Sequence, residues 1–167
     1  RFVALFPLDP TWRILDVGFN AVEYSDTANF LEKNYPYKKN ITALGIEDPK
    51  EFQKKYRDVK AVQYEGKIFP FQDNTFDLCW SNAVIEHVGN FQAQIDFLKE
   101  IHRTSRHAYV TTPNKLFPIE VHTRVPLLHF LPKRIFHAFL RFIGKEWATG
   151  SYMSLLSKKE LEAALQK

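Results

Sequence analysis

Two acidic residues, Glu47 and Asp48, follow a short apolar run at 41–46 that has the composition of a buried strand. A carboxylate fixed at the end of a strand can accept hydrogen bonds from both hydroxyl groups of a ribose, as an acid does in dinucleotide-binding folds. An acid in the same place can instead cap the N-terminus of the next helix. Both roles stay open for the pair, and Glu47 is favoured for the ribose because the end of a strand is a fixed position.

The loop after the first apolar run limits what else the ligand can contain. It reads Gly18-Phe-Asn-Ala-Val-Glu23, with one glycine and with a carboxylate near the start of the next element. A pyrophosphate needs several glycines, so that backbone N–H groups can approach it, and a helix N-terminus free of competing anions. The loop therefore argues against a dinucleotide or nucleotide-sugar enzyme, and it suits a nucleoside cofactor without phosphate groups.

The elements that position these loops alternate between strands and helices. Strands are predicted at 13–17, 41–46, 59–62, 76–80 and 107–112, helices at 49–57, 91–103 and 157–167, and a helix or turn at 30–35. Ser157 and Glu160 form a capping-box pattern at the start of the last helix. This alternation predicts an α/β fold, a Rossmann-like three-layer sandwich with a mostly parallel sheet. Ligands bind beyond the carboxyl ends of the strands in such sheets.

Composition limits the class of protein. The chain has 167 residues, enough for a single domain, with 45% hydrophobic and 25% charged residues and a net charge of +4. Cys79 is the only cysteine, which excludes an internal disulfide, and no metal site is expected. The longest apolar stretch, 125–132, is far shorter than the ~20 residues of a membrane-spanning helix. We expect a cytoplasmic protein, because a lone cysteine is typical of a reducing compartment and no signal peptide is visible.

Four motifs together resemble a known family. They are Ile14-Leu-Asp-Val-Gly18, Leu44-Gly-Ile-Glu47, Phe69-Pro-Phe-Gln-Asp-Asn-Thr-Phe-Asp77 and Ser81-Asn-Ala-Val-Ile-Glu-His-Val88. The chain is similar to the class I S-adenosylmethionine-dependent methyltransferases, in the branch called type 11. The resemblance covers roughly residues 13–114, and its most specific part is the run at 69–88. It implies transfer of a methyl group from S-adenosylmethionine to an acceptor by in-line displacement.

The resemblance also implies a set of site residues. Asp16 would help to order the methionine amino group, Glu47 would bind the ribose, and Glu65 would accept from the adenine amino group. The backbone at Ser81 and Asn82 would receive the methionine end. If the acceptor must lose a proton, His87 is the first candidate for the catalytic base, and Asn114 and His122 would line the far rim. The implied cofactor-binding set is Asp16, Gly18, Asn20, Glu47, Glu65, Gly66, Ser81 and Asn82.

The sequence departs from the family pattern in three places. The family repeats glycine at the positions of Asn20 and Val22; asparagine tolerates a left-handed conformation, whereas valine does so only at high cost. Either the loop takes another path or the cofactor binds loosely. The family's glycine-rich turn before the fifth strand is replaced by a shorter connection at 104–107. The closing antiparallel hairpin is missing, as in a partial chain. These departures keep a second function open, that of a non-catalytic binding or scaffold domain.

A basic and aromatic segment at 115–150 is predicted to be a lid or cover over the single domain 1–167. Residues 121–145 contain five basic residues and no acidic residue. Ile135, Phe139 and Phe142 share one side at helical spacing, with Arg134, Arg141 and Lys145 on the other. An amphipathic cover helix explains this pattern. So does a lid for a small-molecule or lipid-like acceptor, or one that contacts an anionic membrane. Nucleic acid is not expected, because no reader module is recognised, and the oligomeric state is left open.

Overall fold

A computed structural model of the chain describes residues 5–6, 8–119, 123, 125–150 and 153–167. Its contacts divide it into two compact units. The first comprises the chain up to Val84 together with Lys99–Thr111, and the second comprises Ile85–Leu98 and Thr112–Lys167. His122, predicted at the rim of the site, lies outside the described residues, as do 121 and 124 of the basic segment.

The first unit is built on a five-stranded parallel sheet, as predicted. Its strands are β1 (Ile14–Val17), β2 (Ile41–Gly45), β3 (Lys60–Gln63), β4 (Phe76–Asn82) and β5 (Ser105–Thr111). Their order across the sheet is β3-β2-β1-β4-β5, so successive strands are added on one side of β1 up to β3 and on its other side from β4 onward. All four residues of β1 are buried, which means that both faces of the sheet are covered there. The sheet formed by the described residues is not closed by an antiparallel hairpin.

The α-helices are α1 (Phe30–Asn34), α2 (Lys50–Lys55), α3 (Phe91–Thr104), α4 (Lys133–Phe142) and α5 (Lys158–Leu165). Side chains of α1 and α2 pack with one face of the sheet in a core cluster that includes Leu31, Phe52 and Trp80. No residue separates α3 from β5, so the connection predicted at 104–107 is shorter still.

The prediction for the end of β4 was wrong. Ser81 and Asn82 were expected after the strand but are its last two residues. The strand continues because β5 continues beside it, with Ser81 opposite Val110 and Asn82 opposite Thr111. Its pairing with β1 ends earlier, at Asp16 opposite Trp80, so these two residues extend past the end of β1.

The second unit has its own small core, and this core corrects the predicted face of α4. Phe136 and Leu140 are buried, and Phe139 packs beside them. Ile135 and Phe142, which were predicted to share the apolar face, are 54% and 87% exposed. Apolar residues occupy six of the ten positions of α4, so helical spacing alone fits two different stripes. Packing in the second unit buries the stripe that contains Phe136 and Leu140, which is shifted by one residue from the predicted stripe.

The capping box predicted at the start of α5 is present. The Ser157 hydroxyl accepts from the Glu160 backbone N–H, and the Glu160 carboxylate accepts from the Ser157 N–H at 2.8 Å. None of the described helices combines the length and the apolar character that crossing a bilayer requires.

Candidate functional site

The structure gives different roles to the two acidic residues that follow β2. Asp48 accepts from the Lys50 backbone N–H at 3.0 Å, so it supports the start of α2, and the Lys50 bonds lower the pKa of its carboxyl. Glu47 takes no part in that helix. Its Oε2 instead accepts from the Ala21 N–H at 2.6 Å, and its side chain is exposed. Glu47 therefore joins the end of β2 to the loop after β1 and still presents carboxylate to solvent.

The loop after β1 follows a path that does not need the missing glycines. Neither Asn20 nor Val22 has a positive φ, so the left-handed conformation expected for Asn20 is not used. The left-handed residue is Asn29, with φ 50°, at the start of α1. Its amide side chain donates to the Asn20 carbonyl and accepts from the Asn20 N–H, each at 2.9 Å. Both backbone groups of Asn20 are therefore bonded within the protein.

Gly18 is the position in this loop where glycine is required. Its φ is +110°, a conformation that side chains rarely adopt, and its N–H donates to the Leu44 carbonyl at 2.8 Å. A Cβ built on Gly18 would lie 2.3 Å from a Val84 methyl carbon. The space that glycine leaves at the end of β1 is thus filled by Val84, four residues beyond the last β1–β4 pair.

A pair of buried acids lies beneath this loop. Asp16 of β1 is 6% exposed, and Glu32 of α1 is fully buried, with no hydrogen-bond donor to either carboxylate oxygen among the described residues. Burial raises the pKa of Asp16 well above its usual value, and the negative charge of the nearby Glu32 raises it further. Asp16 is therefore harder to ionise in the folded chain than an exposed aspartate. Nothing in the sequence marked Glu32, because a glutamate in a short helix is usually solvated.

The loop after β3 meets the end of β2. Gly66 has φ +79°, and a Cβ there would lie in ordinary contact, 3.5 Å, with the Ile46 side chain. Ile46 is 66% exposed, and the Glu65 and Gly66 backbone beside it is exposed as well. The exposed apolar surface of Ile46 therefore lies beside Gly66 and directly precedes Glu47 in the chain. Sequence reasoning missed Ile46; the signal for it was an apolar residue directly before an acid that was already a candidate.

Ser81 and Asn82 end β4 with different environments. Ser81 is fully buried, and its hydroxyl has no hydrogen-bond partner among the described residues. Asn82 is exposed, and its side-chain oxygen accepts from the Thr111 hydroxyl at 2.5 Å. Of these two residues, Asn82 is therefore accessible to a ligand, whereas Ser81 is shielded from solvent.

A cavity of about 490 Å³ lies between the loop after β1 and α2. Residues 20–23, Asn29, Lys54 and Lys55 contribute to its lining, and Glu47 does not. Glu23 organises this wall through bonds to Lys55, Tyr56, Lys33 and Asn29. Although partial burial raises the pKa of Glu23, these bonds outweigh it and lower the pKa to about 2.

His87 belongs to the second unit, where it ends a short 3-10 turn and is exposed. Its neighbour Glu86 is fully buried and accepts from the Thr112 hydroxyl at 3.0 Å. The side-chain oxygen of Asn114 accepts a local hydrogen bond from the Leu116 backbone N–H at 2.9 Å. No group of three potential metal-ligating side chains occurs among the residues that the structure describes.

Comparison with known proteins identifies the class that this sheet and these loops define. Residues 15–108, more than half of the chain, match the family model of a methyltransferase domain of type 11. The chain therefore belongs to this family, that of the class I S-adenosylmethionine-dependent methyltransferases, and S-adenosylmethionine is the cofactor that membership implies. Among curated proteins, no relative matches the sequence.

Solved structures share the fold at low sequence identity. An S-adenosylmethionine-dependent methyltransferase from Aquifex aeolicus is 19% identical, with 86% of this chain and 77% of that one covered, at a TM-score of 0.54. The YcgJ protein of Bacillus subtilis is 16% identical, with 98% and 63% covered, at a TM-score of 0.61. The [4+2]-cyclase SpnF is 15% identical, with 98% and 53% covered, at a TM-score of 0.61. The chain thus spans little more than half of some relatives, and proteins with this fold differ in reaction.

The residues present fit the adenosyl part of the cofactor. An exposed carboxylate at Glu47 can accept from ribose hydroxyls, and the exposed Ile46 surface beside Gly66 can cover one face of a purine. Around Gly18 the space is filled from within the protein, because Val84 packs on Gly18 and the Asn29 side chain bonds both backbone groups of Asn20.

Proposed function

We propose that this chain transfers a methyl group from S-adenosylmethionine to a small-molecule or lipid-like acceptor. The proposal rests on the position and hydrogen bonding of Glu47. Unlike Asp48, it is not used to start α2, and it stands exposed at the end of β2 while bonded to the loop after β1. An acid fixed at that point, with the chain's family membership, supports ribose binding at the edge where parallel sheets bind ligands.

The remaining cofactor contacts follow from the same edge of the sheet. Glu65 and Gly66 would meet the adenine edge, and Ile46 would pack against its face. Gly18, Asn20 and the ends of β1 and β4 at Asp16, Ser81 and Asn82 would surround the methionine part. Asp16 would bind the amino group more strongly once it gives up its proton, since a carboxylate attracts an ammonium and a neutral acid does not.

When bound, the cofactor supplies an activated methyl group on a positively charged sulfur. The chain's contribution is to hold it in line with the acceptor, which can lower the barrier by about 7–11 kcal/mol. We propose His87 as the base for an acceptor that must lose a proton, because its imidazole is exposed and follows the motif at 81–88. A base adds about 10²–10⁴-fold and is not needed for every acceptor.

We propose that the two units act as one methyltransferase domain, with 115–150 as its lid, and that the reaction takes place in the cytoplasm. A lipid-like acceptor would be reached through peripheral membrane contact of 121–145, the segment without acidic residues. Nucleic acid is not among the partners that we propose.

Titration calorimetry with S-adenosylhomocysteine tests the cofactor role of Glu47. Glu47→Gln keeps the shape of the side chain but removes a charged hydrogen-bond acceptor, so binding should weaken about tenfold to a hundredfold. Asp48→Asn is the matched control: it changes the adjacent exposed acid, and it should leave the affinity unchanged. Equal affinities of Glu47→Gln and the unaltered chain would contradict the ribose role.

A second function, a non-catalytic scaffold, is favoured by the bonds between Asn20 and Asn29. They occupy the backbone groups that a cofactor loop normally offers. If the chain is a non-catalytic scaffold, calorimetric titration of the folded, unaltered chain with S-adenosylhomocysteine should release no heat.

A further inference from the structure

Exposed apolar side chains are concentrated in one part of the second unit. Of nineteen exposed large apolar side chains in the described chain, nine lie between residues 116 and 143. Phe142 is the most exposed of them, at 87%. Soluble proteins rarely expose contiguous apolar surface of this kind unless it contacts a partner or a membrane. The nine are Leu116, Phe117, Ile119, Leu127, Phe130, Leu131, Ile135, Phe142 and Ile143.

Backbone contacts bring several of these residues close together. The Leu127 N–H donates to the Pro118 carbonyl at 2.7 Å, and Ile119 pairs with Pro126 as an isolated bridge. The Phe130 N–H then donates to the Leu127 carbonyl at 3.1 Å, and α4 begins shortly after. We use the name docking face for these nine apolar side chains together with Arg134 and Arg141.

The docking face cannot be buried by turning α4 over. The opposite side of the helix already holds Phe136 at 8% and Leu140 at 0% exposure in the core of the second unit. Rotation to bury Ile135 and Phe142 would expose these two. The apolar side chains on the outer side of α4 are therefore available to something other than this unit's own core.

Charge identifies the kind of partner. Residues 121–145 hold five of the 23 basic residues and none of the 19 acidic ones, so the rest of the chain has eighteen basic and nineteen acidic residues. The positive net charge of the protein thus comes from this segment. On α4, Arg134 and Arg141 stand two turns apart and are exposed, as are Ile135 and Phe142 beside them. An apolar strip flanked by arginines is the arrangement of helices that lie in an anionic bilayer surface.

We infer that the docking face rests on an anionic lipid bilayer, with Phe142, Ile135 and their apolar neighbours among the acyl chains and the two arginines at the phosphates. Arginine suits this place because its aliphatic stem can lie along apolar surface while its guanidinium reaches the headgroups. The inference deepens the membrane contact proposed for 121–145 and rests on it. It does not depend on methyl transfer, because no residue of the docking face belongs to the cofactor site.

Vesicle co-sedimentation of the full chain tests this inference, with phosphatidylcholine vesicles that either contain or lack phosphatidylglycerol. The unaltered chain should bind the anionic vesicles, and salt should weaken the binding. Phe142→Ser should weaken it about tenfold or more, since a buried aromatic side chain is lost. Arg134→Gln with Arg141→Gln should weaken it about fivefold for each arginine.

Matched controls separate the docking face from general stickiness. Leu165→Ser and Ile68→Ser remove side chains that are 66% and 75% exposed elsewhere, and Lys50→Gln removes an exposed charge of the first unit. These variants should bind vesicles as the unaltered chain does. All changed side chains are exposed, so thermal melting should stay unchanged, and the control variants should keep the S-adenosylhomocysteine affinity of the unaltered chain.

Three results would overturn the inference. One is absence of binding to the anionic vesicles. Another is equal binding to both kinds of vesicle, or binding that the docking-face variants do not change. The third is self-association or oligonucleotide binding that Phe142→Ser abolishes without any vesicle binding, which would assign the face to a second copy or to nucleic acid. Loss of S-adenosylhomocysteine binding with vesicle binding intact would contradict the methyltransferase proposal alone.

Discussion

Replacing Glu32 by glutamine should make the protein more stable, and increasingly so as the pH rises. Asp16 and Glu32 share a buried site in which no described donor reaches the Glu32 oxygens. The pKa of Asp16 is raised above 3.8, first by burial and then by Glu32. The folded chain therefore keeps a proton that the unfolded chain releases above about pH 4. Stability from the protonated pair is present at low pH and is lost as the pH rises.

The magnitude follows from proton linkage. Each pH unit in which the folded state holds one extra proton lowers the free energy of unfolding by about 1.4 kcal/mol, so pH 5 to 7 sets a ceiling of about 2.7 kcal/mol. Glu32→Gln removes the charge of Glu32 but leaves Asp16 buried, and burial is the larger cause. We therefore expect the stability gain of the variant to be about 1–2 kcal/mol larger at pH 7 than at pH 5.

Urea unfolding followed by circular dichroism at several pH values measures this gain. Glu162→Gln is the control, because that carboxylate is 56% exposed on α5 and should give a small difference that does not vary with pH. Comparing each variant with the unaltered chain at the same pH cancels the other titrating groups. A Glu32→Gln variant that is destabilised by the same amount at pH 5 and pH 7 would refute the retained proton.

Two further substitutions test the local structure by urea unfolding. Gly18→Ala should lower the free energy of unfolding by about 2–5 kcal/mol, because of left-handed backbone strain and overpacking against Val84. Adding Val84→Ala should restore only the part of this stability that overpacking removed. If it restores none, the Val84 contact is not the cause. Ser157→Ala should cost about 0.5–2 kcal/mol at neutral pH, because the capping box at α5 is lost. The Ser157 backbone N–H and then the Ser157 hydroxyl lower the pKa of Glu160 to about 2, and only the hydroxyl bond is lost in the variant. The part of the cost that comes from this bond should fade as the pH falls from 4.5 towards 2, and an effect that grows in acid would contradict it.

The sequence by itself determined the parallel sheet and the position of Glu47. Short apolar runs separated by helical segments leave few ways to bury both faces of a sheet, so five strands could be predicted from local patterns. The capping box at Ser157 was predicted for a similar reason, since its bonds join residues three positions apart. Features of this kind depend on neighbours in the chain, and the sequence displays those directly.

Tertiary structure decided the features that depend on distant neighbours. Glu32 became half of an acid pair because α1 faces β1, and Gly18 became irreplaceable because Val84 packs on it. The separate roles of Glu47 and Asp48 appeared only when the loop after β1 came within reach of one and α2 within reach of the other. On α4, two apolar stripes were equally periodic, and the core of the second unit selected Phe136 and Leu140. The spacing of apolar residues shows which of them could be buried, but which of them are buried depends on the residues from elsewhere in the chain that pack against the helix.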